Sequence, residues 1–251
     1  MRHRFTLFGA LPVLLLLGSC SHKFYAPNTH AVPLFQQQGE VRASGMLWTG
    51  TEVNGVELQG AYALTNHLGM VVNVIAARGG EVGDARSGYG YLLEAGSGYF
   101  RPLGEYGVFE AYGGLGVGQA KNRYHSDRSV ISTANSTVGL VRVFGQPSIG
   151  LTTPYFDAAF STRVAWLSMH NPRETARGAP AFSGNYEWEY MRLNPNSLLF
   201  EPAATLRAGW KYCKLQLQMG VSVNVTHPEF PQETLNMSIG LYLSLADKYA
   251  R

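Results

Sequence analysis

The chain carries little charge and no long apolar run beyond its N-terminus. Charged residues make up 15 % of the 251 residues, and 20 basic against 17 acidic side chains leave a formal net charge of +3. Loss of the first 19 residues, which include Arg2 and Arg4, would lower this charge to +1. So small a charge gives no basic field, and we expect no nucleic-acid partner. No run of about 18 apolar residues follows the N-terminal segment, so we expect no transmembrane helix there.

Cysteine is scarce, and the usual signs of a metal or cofactor site are missing. There are two cysteines, and if Cys20 is modified no internal disulfide can form. We interpret Cys213 as a free thiol without a role, because its short turn supplies no partner for a reactive or metal site. The histidines lack metal-ligand spacing, and the glycine run 113–118 lacks the spacing of a dinucleotide site. We therefore expect no metal and no cofactor.

The first 19 residues have the features of an export signal. Two arginines begin the segment, and the apolar stretch 5–17 follows them. The next residues complete the sequence Leu17-Gly18-Ser19-Cys20. This sequence resembles the bacterial lipobox, in which cleavage falls just before the cysteine and the cysteine is acylated. The resemblance implies that residues 1–19 are removed and that Cys20 carries lipid; an ordinary signal peptide with a chance cysteine is the alternative.

Residues 20–39 show no steady hydrophobic period. Pro27 and Pro33 interrupt the segment, and polar residues are scattered along it. We interpret it as a lipidated linker between the anchor and the domain that follows. Part of it, residues 25–35, could instead dock on one end of that domain.

From residue 40 the sequence alternates with a period of two. The clearest case is the stretch 214–225, KLQLQMGVSVNV. One face of it collects Leu215, Leu217, Met219, Val221 and Val223. Such a period indicates a β-strand, because successive side chains point to opposite faces of a sheet. The pattern predicts ten strands, over 40–49, 56–66, 68–77, 89–100, 106–118, 137–150, 156–168, 198–210, 214–225 and 236–246.

Short and long connections alternate between these strands. The short ones are 66–67, 102–105, 151–155 and 211–213, whereas the long polar ones are 78–88, 119–136, 169–197 and 226–235. The first hairpin, 50–55, fits the long side less well. An even number of strands of about ten residues, with short turns at one end and long loops at the other, is typical of an outer-membrane barrel. A soluble two-sheet sandwich is the alternative, but it gives no reason for this alternation.

The two faces of the predicted strands differ in polarity. The apolar face has Tyr89, Tyr99 and Trp210 towards strand ends, where an aromatic girdle would lie. The other face carries five acids and five bases, namely Arg42, Glu57, Glu94, Glu110, Arg142, Asp157, Arg163, Glu201, Arg207 and Lys214. In a membrane barrel this face lines the lumen. We expect the glutamates of the first half to pair with the arginines of the second half and to close the lumen.

The last predicted strand resembles the C-terminal signal that the barrel-assembly machinery reads. Ser238, Gly240, Leu243 and Leu245 match its order of a polar residue, a glycine and two apolar residues. Such proteins usually end at an aromatic residue, whereas this chain continues to Arg251. The region 40–246 resembles the small outer-membrane barrels of the OmpA and opacity-protein type. The resemblance implies insertion into outer-membrane lipid with the help of that machinery.

The sequence thus predicts an all-β protein, a lipid-anchored, ten-stranded antiparallel up-and-down barrel over 40–251 in the bacterial outer membrane. We expect the N-terminus and the short turns on the periplasmic side. A structural or surface-interaction role is favoured over catalysis, with 119–136 and 169–197 as candidate contacts for an extracellular ligand. Within 169–197, the stretch 186–190 predicts a hairpin extension or a recognition surface. A small-solute pore is the alternative, and a loop-end hydrolase acting on lipid or peptide is less favoured.

Overall fold

A computed structural model describes residues 23–80, 86–126, 132–177 and 186–245. The strands are β1 (Val41–Thr49), β2 (Val53–Ala63), β3 (Leu68–Gly79), β4 (Arg86–Leu103), β5 (Gly107–Ser126), β6 (Ser132–Thr152), β7 (Phe156–Arg177), β8 (Asn196–Trp210), β9 (Cys213–Val221), β10 (Val223–Asn224) and β11 (Leu235–Leu245). One helix, α1 (Tyr186–Leu193), precedes β8. Only Ser222 separates β9 from β10, so these two segments act as one strand of the wall.

The strands form one closed sheet. Each strand from β1 to β8 pairs antiparallel with the next one, and β8 pairs with β9. The wall closes because β11 pairs with both β1 and β9. This arrangement confirms the predicted ten-stranded antiparallel barrel and excludes the two-sheet sandwich.

The alternation in the sequence becomes the inside and the outside of the barrel. On β9, Leu215, Leu217 and Met219 are 47 %, 47 % and 54 % exposed, whereas the intervening Gln216 and Gln218 are buried. The same contrast runs round the wall, so its outer surface is a continuous belt of apolar side chains. A soluble monomer rarely exposes apolar patches beyond a few hundred square ångströms. The outer face is therefore built for an apolar surrounding.

The two ends of the barrel differ, as the spacing of the connections predicts. We call the end with the tight connections 64–67, 104–106, 153–155 and 211–212 the turn end, and the opposite one the loop end. The strands β4 to β7 are 18, 20, 21 and 22 residues long, whereas β1 and β2 have only 9 and 11, and the extra length lies at the loop end. The wall is thus tall on one side of the loop end and low at the β1–β2 hairpin.

The structure corrects the prediction for two of the long loops. Much of 119–136 continues β5 and β6, and 169–177 continues β7. Beyond the apolar belt the outward positions are polar, so a regular alternation of apolar and polar residues no longer reveals the strand. The stretch 186–190 begins α1 rather than a hairpin extension, because Trp188 and Met191, three residues apart, share its buried face. No helix within the described ranges is long and apolar enough to cross a membrane.

The N-terminal region is also different from its prediction. Residues 23–39, expected as a linker, lie inside the barrel, and we call this segment the plug. Phe24, Leu34 and Phe35 are at most 2 % exposed. The segment is irregular and has no period of its own, because its backbone bonds to side chains of the wall rather than to a neighbouring strand. Residues 1–22, including Cys20, lie outside the described ranges.

Candidate functional site

The plug crosses the lumen once, from the loop end to the turn end. At the loop end, the Phe24 N–H donates to the Pro231 carbonyl at 2.9 Å, and the Phe24 ring lies 5.9 Å from that of Trp188. At the turn end, the Gly39 N–H donates to the Ala63 carbonyl at 2.9 Å. The chain then reverses into β1. The lumen is therefore filled by the chain's own backbone.

Side chains of the wall satisfy the peptide groups of the plug. Gln218 bonds both ways to His30, because it accepts from the His30 N–H at 2.6 Å and donates to the His30 carbonyl at 3.0 Å. The same kind of contact recurs along the plug, from Asn122 to the Lys23 carbonyl, Asn236 to Pro27, Gln146 to Ala31, Arg207 to Val32 and Tyr242 to Pro33. Buried peptide groups need partners. Here the lumen supplies them, much as a neighbouring strand would in a sheet.

Two sequence features fit the plug to the lumen. Pro27 and Pro33 have no N–H, so neither needs an acceptor in the interior, and both hold the backbone extended. The room comes partly from β5, where inward positions are occupied by glycine. A Cβ on Gly114 would lie 2.6 Å from the Phe144 ring, and one on Gly116 would lie 3.0 Å from Glu94. The glycine run that lacks a dinucleotide fingerprint thus makes space in the lumen.

All ten predicted lumen charges point into the barrel and are buried. Their exposed fractions range from 0 % for Glu110 and Arg142 to 7 % for Arg42. Most of them form two groups, one around Arg142 and one around Asp157. Glu57 and Glu110 instead accept hydrogen bonds from the plug. Charges buried in this way are costly unless each is paired or hydrogen-bonded.

The first group is centred on Arg142. Its guanidinium lies 2.5 Å from the Glu94 carboxylate and 3.6 Å from that of Glu201. Arg163 lies 3.6 Å from Glu201 as well. Between the two arginines sits Asn28 of the plug, whose side-chain oxygen accepts from Arg142 at 2.6 Å and from Arg163 at 2.7 Å, while its amide donates to Glu94 at 2.6 Å.

A tyrosine of the plug completes this group. The Tyr25 hydroxyl donates to Glu201 at 2.8 Å and accepts a bond from Arg142. The plug is thus part of the charge network rather than a separate filling.

The second group lies towards the turn end. Asp157 accepts from the Lys214 ammonium at 2.6 Å and lies 3.7 Å from Arg207. Nearby, Arg42 pairs at 2.8 Å with Glu40, which lies just before β1 and which the sequence argument did not include. The Glu40 carboxylate also accepts from the Gln36 N–H at 2.9 Å, so it fixes the point where the plug turns back into the wall.

Two of the glutamates have partners other than the expected arginines. Glu57 accepts from the Thr29 N–H at 3.0 Å, and Glu110 accepts from the Phe35 N–H at 3.1 Å. Among the described residues neither forms an ion pair within 4 Å, so the expected arginine partners are wrong for both. Their partners are backbone groups of a segment that the sequence argument placed outside the lumen.

We expect Glu110→Ala to lower the free energy of unfolding by about 1–3 kcal/mol, since it leaves a buried backbone donor without its acceptor. Glu110→Gln keeps an acceptor at this position and should cost less. Urea unfolding of the protein in detergent micelles, followed by tryptophan fluorescence, measures both. A larger loss in the glutamine variant than in the alanine variant would contradict this role.

The loop end of the plug is held by Glu233. The Glu233 N–H donates to the Tyr25 carbonyl at 2.8 Å, and its carboxylate accepts from the Thr51 hydroxyl at 2.7 Å and the Glu52 N–H at 2.9 Å. Burial would raise the pKa of Glu233, but these hydrogen bonds outweigh it and lower that pKa below its usual value. One carboxylate therefore joins the β1–β2 hairpin to the last loop, and its backbone joins that loop to the plug.

The remaining predicted residues are placed as follows. Ser238 points inwards in β11, Leu243 and Leu245 point outwards, and a Cβ on Gly240 would collide with the backbone of β1. Cys213 is a half-buried free thiol. Within the described ranges, no cluster of three or more histidine, cysteine or acidic side chains could hold a metal ion.

The uncharged polar residues that contact the plug were not among the predicted site residues. Those on the wall include Gln59, Gln146 and Gln218, all at inward positions of predicted strands. Asn73 and Gln216 also point inwards, but they bond to Glu57 and Arg207 of the wall. Their alternation with apolar residues could have identified them, had uncharged side chains been considered. The contacts within the plug, such as those of Asn28 and Thr29, had no signal in the sequence.

Three solved structures have a similar fold. An outer-membrane channel from Pseudomonas putida F1 is 11 % identical with a TM-score of 0.42, and the match covers 86 % of this chain and 100 % of that one. The KdgM porin is 11 % identical (TM-score 0.38; 82 % and 99 % covered). The N-terminal β-barrel domain of Pseudomonas aeruginosa OprF is 9 % identical (TM-score 0.33; 84 % and 100 % covered). No family model and no curated protein matches the chain significantly. Similarity at this level carries no functional conclusion.

Proposed function

We propose that this protein is a lipid-anchored barrel of the bacterial outer membrane with a structural or surface-interaction role, closed by its own N-terminal segment. The observation that carries the proposal is a plugged, hydrogen-bonded lumen inside a wall whose outer face is apolar. A closed barrel leaves no strand edge without partners in lipid, and a filled lumen gives solutes no path. We propose no catalytic role, because the charged groups of the lumen pair with one another or bond to the plug.

The outer face supports insertion into lipid. Tyr89, Tyr99 and Trp210 are 58 %, 41 % and 77 % exposed and lie near the ends of the apolar belt. Aromatic side chains at these heights favour the boundary between lipid and water. On β11, Leu243 and Leu245 face outwards, where the barrel-assembly machinery could read them as part of its signal.

The loop end supports a surface contact. The described ends of β5, β6 and β7 extend beyond the low rim at β1 and β2, and α1 lies at the same end of the barrel, where its Trp188 packs against Phe24. These elements correspond to 119–136 and 169–197, and they are the candidate contacts for an extracellular ligand. A ligand would meet this raised wall before the rest of the barrel.

A small-solute pore is the second candidate, because the ten buried charges give the lumen a polar section, although its loop-end part is packed with apolar side chains. It requires the plug to leave, which the contacts of Asn28 and Tyr25 oppose. Planar-bilayer recording of the intact protein separates the two functions. Steady single-channel currents would favour the pore, and their absence would favour the closed barrel.

Cys20→Ser should abolish labelling of the protein by fatty acid in growing bacteria, since the proposed acylation site is its thiol. Cys213→Ser removes the other cysteine and should leave the label unchanged. The barrel itself should persist in both variants, with different migration of boiled and unboiled samples on gels. Labelling that survives Cys20→Ser would refute the anchor.

A further inference from the structure

The plug places the two ends of the described chain at opposite ends of the barrel. Lys23 lies at the loop end, where its carbonyl accepts from the Asn122 side chain at 3.1 Å. Leu245 lies at the turn end, next to Ser244, whose N–H donates to the carbonyl of Tyr212 in the last turn at 2.9 Å. The reason is a single extra crossing: the plug traverses the lumen before β1 begins. The prediction that the N-terminus and the short turns share a side is therefore wrong for Lys23.

Lys23 also lies beside the lowest part of the rim. Its ammonium is 3.6 Å from the Glu52 carboxylate in the β1–β2 hairpin. That hairpin joins strands of 9 and 11 residues, whereas β4 to β7 have 18 to 22. Lys23 therefore lies beside the short part of the wall, which separates it from the surrounding membrane.

The distance to the proposed anchor is short. Three residue steps separate Cys20 from Lys23, and an extended chain covers about 10 Å in three steps. The wall at β1 alone, with nine residues, is about 30 Å long. An anchor at Cys20 can thus reach the loop-end surface of the membrane over the β1–β2 hairpin, but it cannot reach the turn end.

We propose that the acyl chains on Cys20 enter the membrane leaflet on the loop side of the barrel, beside the β1–β2 hairpin. This inference rests on the lipidation that forms part of the proposed function. With the long loops facing outwards, the ligand of this site is the outer leaflet of the cell surface. The plug is then a tether that is fixed at both ends, in lipid at Cys20 and in the wall at β1.

Paired protease sites test the sidedness. The full chain is purified from bacteria fed radiolabelled palmitate and reconstituted into phosphatidylcholine vesicles, and a sequence-specific protease is added outside. One variant carries a site between His22 and Lys23 and a second site at the exposed Pro228–Glu229 of the last loop. The other carries the same N-terminal site and a second site at the exposed turn Gly104–Glu105.

We expect each molecule of the first variant to be cut at both sites or at neither, and cutting to remove the palmitate label from the barrel. Each molecule of the second variant should be cut at one site only. The expected combination of cuts in each molecule is the same whichever way the barrels insert into the vesicle. Cutting of every variant in detergent, and different migration of boiled and unboiled samples, show that the sites are usable and the barrel folded.

The opposite pattern would overturn the inference: single cuts in the first variant and joint cuts in the second. Should the N-terminal insertion prevent folding, Lys23→Cys in a Cys213→Ser background replaces that site, and a membrane-impermeant maleimide should label the same molecules that are cut at Pro228–Glu229. Absence of palmitate from the purified chain would refute lipidation, while the cleavage pattern would still locate the N-terminus. Failure of the proposed function and failure of this inference are therefore separate results.

Discussion

Replacing Arg142 with methionine should lower the free energy of unfolding by about 3–5 kcal/mol, because breaking a buried ion pair leaves charges without compensation. Arg142 is 0 % exposed and lies 2.5 Å from Glu94 and 3.6 Å from Glu201. The variant also removes donors to Asn28 and Tyr25 of the plug. The loss should therefore appear both in the urea midpoint and in access of protease to the plug.

Two controls separate charge from side-chain volume. Arg142→Met combined with Glu94→Gln removes both members of the closest pair and should cost less than Arg142→Met alone. Arg192→Met breaks the exposed pair with Glu189 on α1, where the distance is 3.1 Å, and should change stability by less than about 0.5 kcal/mol. If the Arg142 and Arg192 variants were equally stable, the lumen network would not hold the barrel together.

Release of the plug should convert the closed barrel into a conducting one. Gln37 and Gln38 are exposed at the turn end, so a protease site inserted between them can be cut while the barrel is folded. In a Cys20→Ser background, which lacks the proposed lipid anchor, cutting severs the plug from β1, and a wash in mild urea should then extract it. Steady single-channel currents are expected after this treatment, because the plug fills the space between the walls of the lumen. The intact protein should show none.

A matched site in the turn Gly104–Glu105 provides the control. Cutting there also breaks the chain at the turn end but leaves the plug joined to β1. Mass spectrometry of the wash measures release, and different migration of boiled and unboiled samples shows that the wall persists. A folded barrel that has lost its plug and still fails to conduct would show that the wall itself closes the lumen.

The sequence predicted the wall well because each strand carries its own signal. On β9 and β11 the apolar residues face outwards and the polar ones inwards, so the period of two locates both strands and the faces of Lys214 and Ser238. The turns also followed from composition. Past the apolar belt this signal ends, which is why the upper parts of β5 and β7 were taken for loops.

The contents of the lumen were predicted only in part. The inward face of a strand follows from alternation, so all ten charges were assigned to the inside. The partners of these charges depend on the stagger of the strands and on the plug, whose sequence has no hydrophobic period. Glu110 illustrates this limit. It accepts a hydrogen bond from the Phe35 N–H, and this contact exists only because the plug lies inside the lumen. An extended segment bonded to side chains leaves no pattern that a sequence argument can detect.

The seam between β1 and β11 has a consequence for the order in which this protein assembles. Nine residue pairs, from Val41 with Leu245 to Thr49 with Met237, join the first strand to the last. Synthesis begins at the N-terminus, so β1 has no partner on that side until the chain is finished. The last hydrogen bonds of the ring therefore form at this seam, beside the strand into which residues 23–39 lead directly.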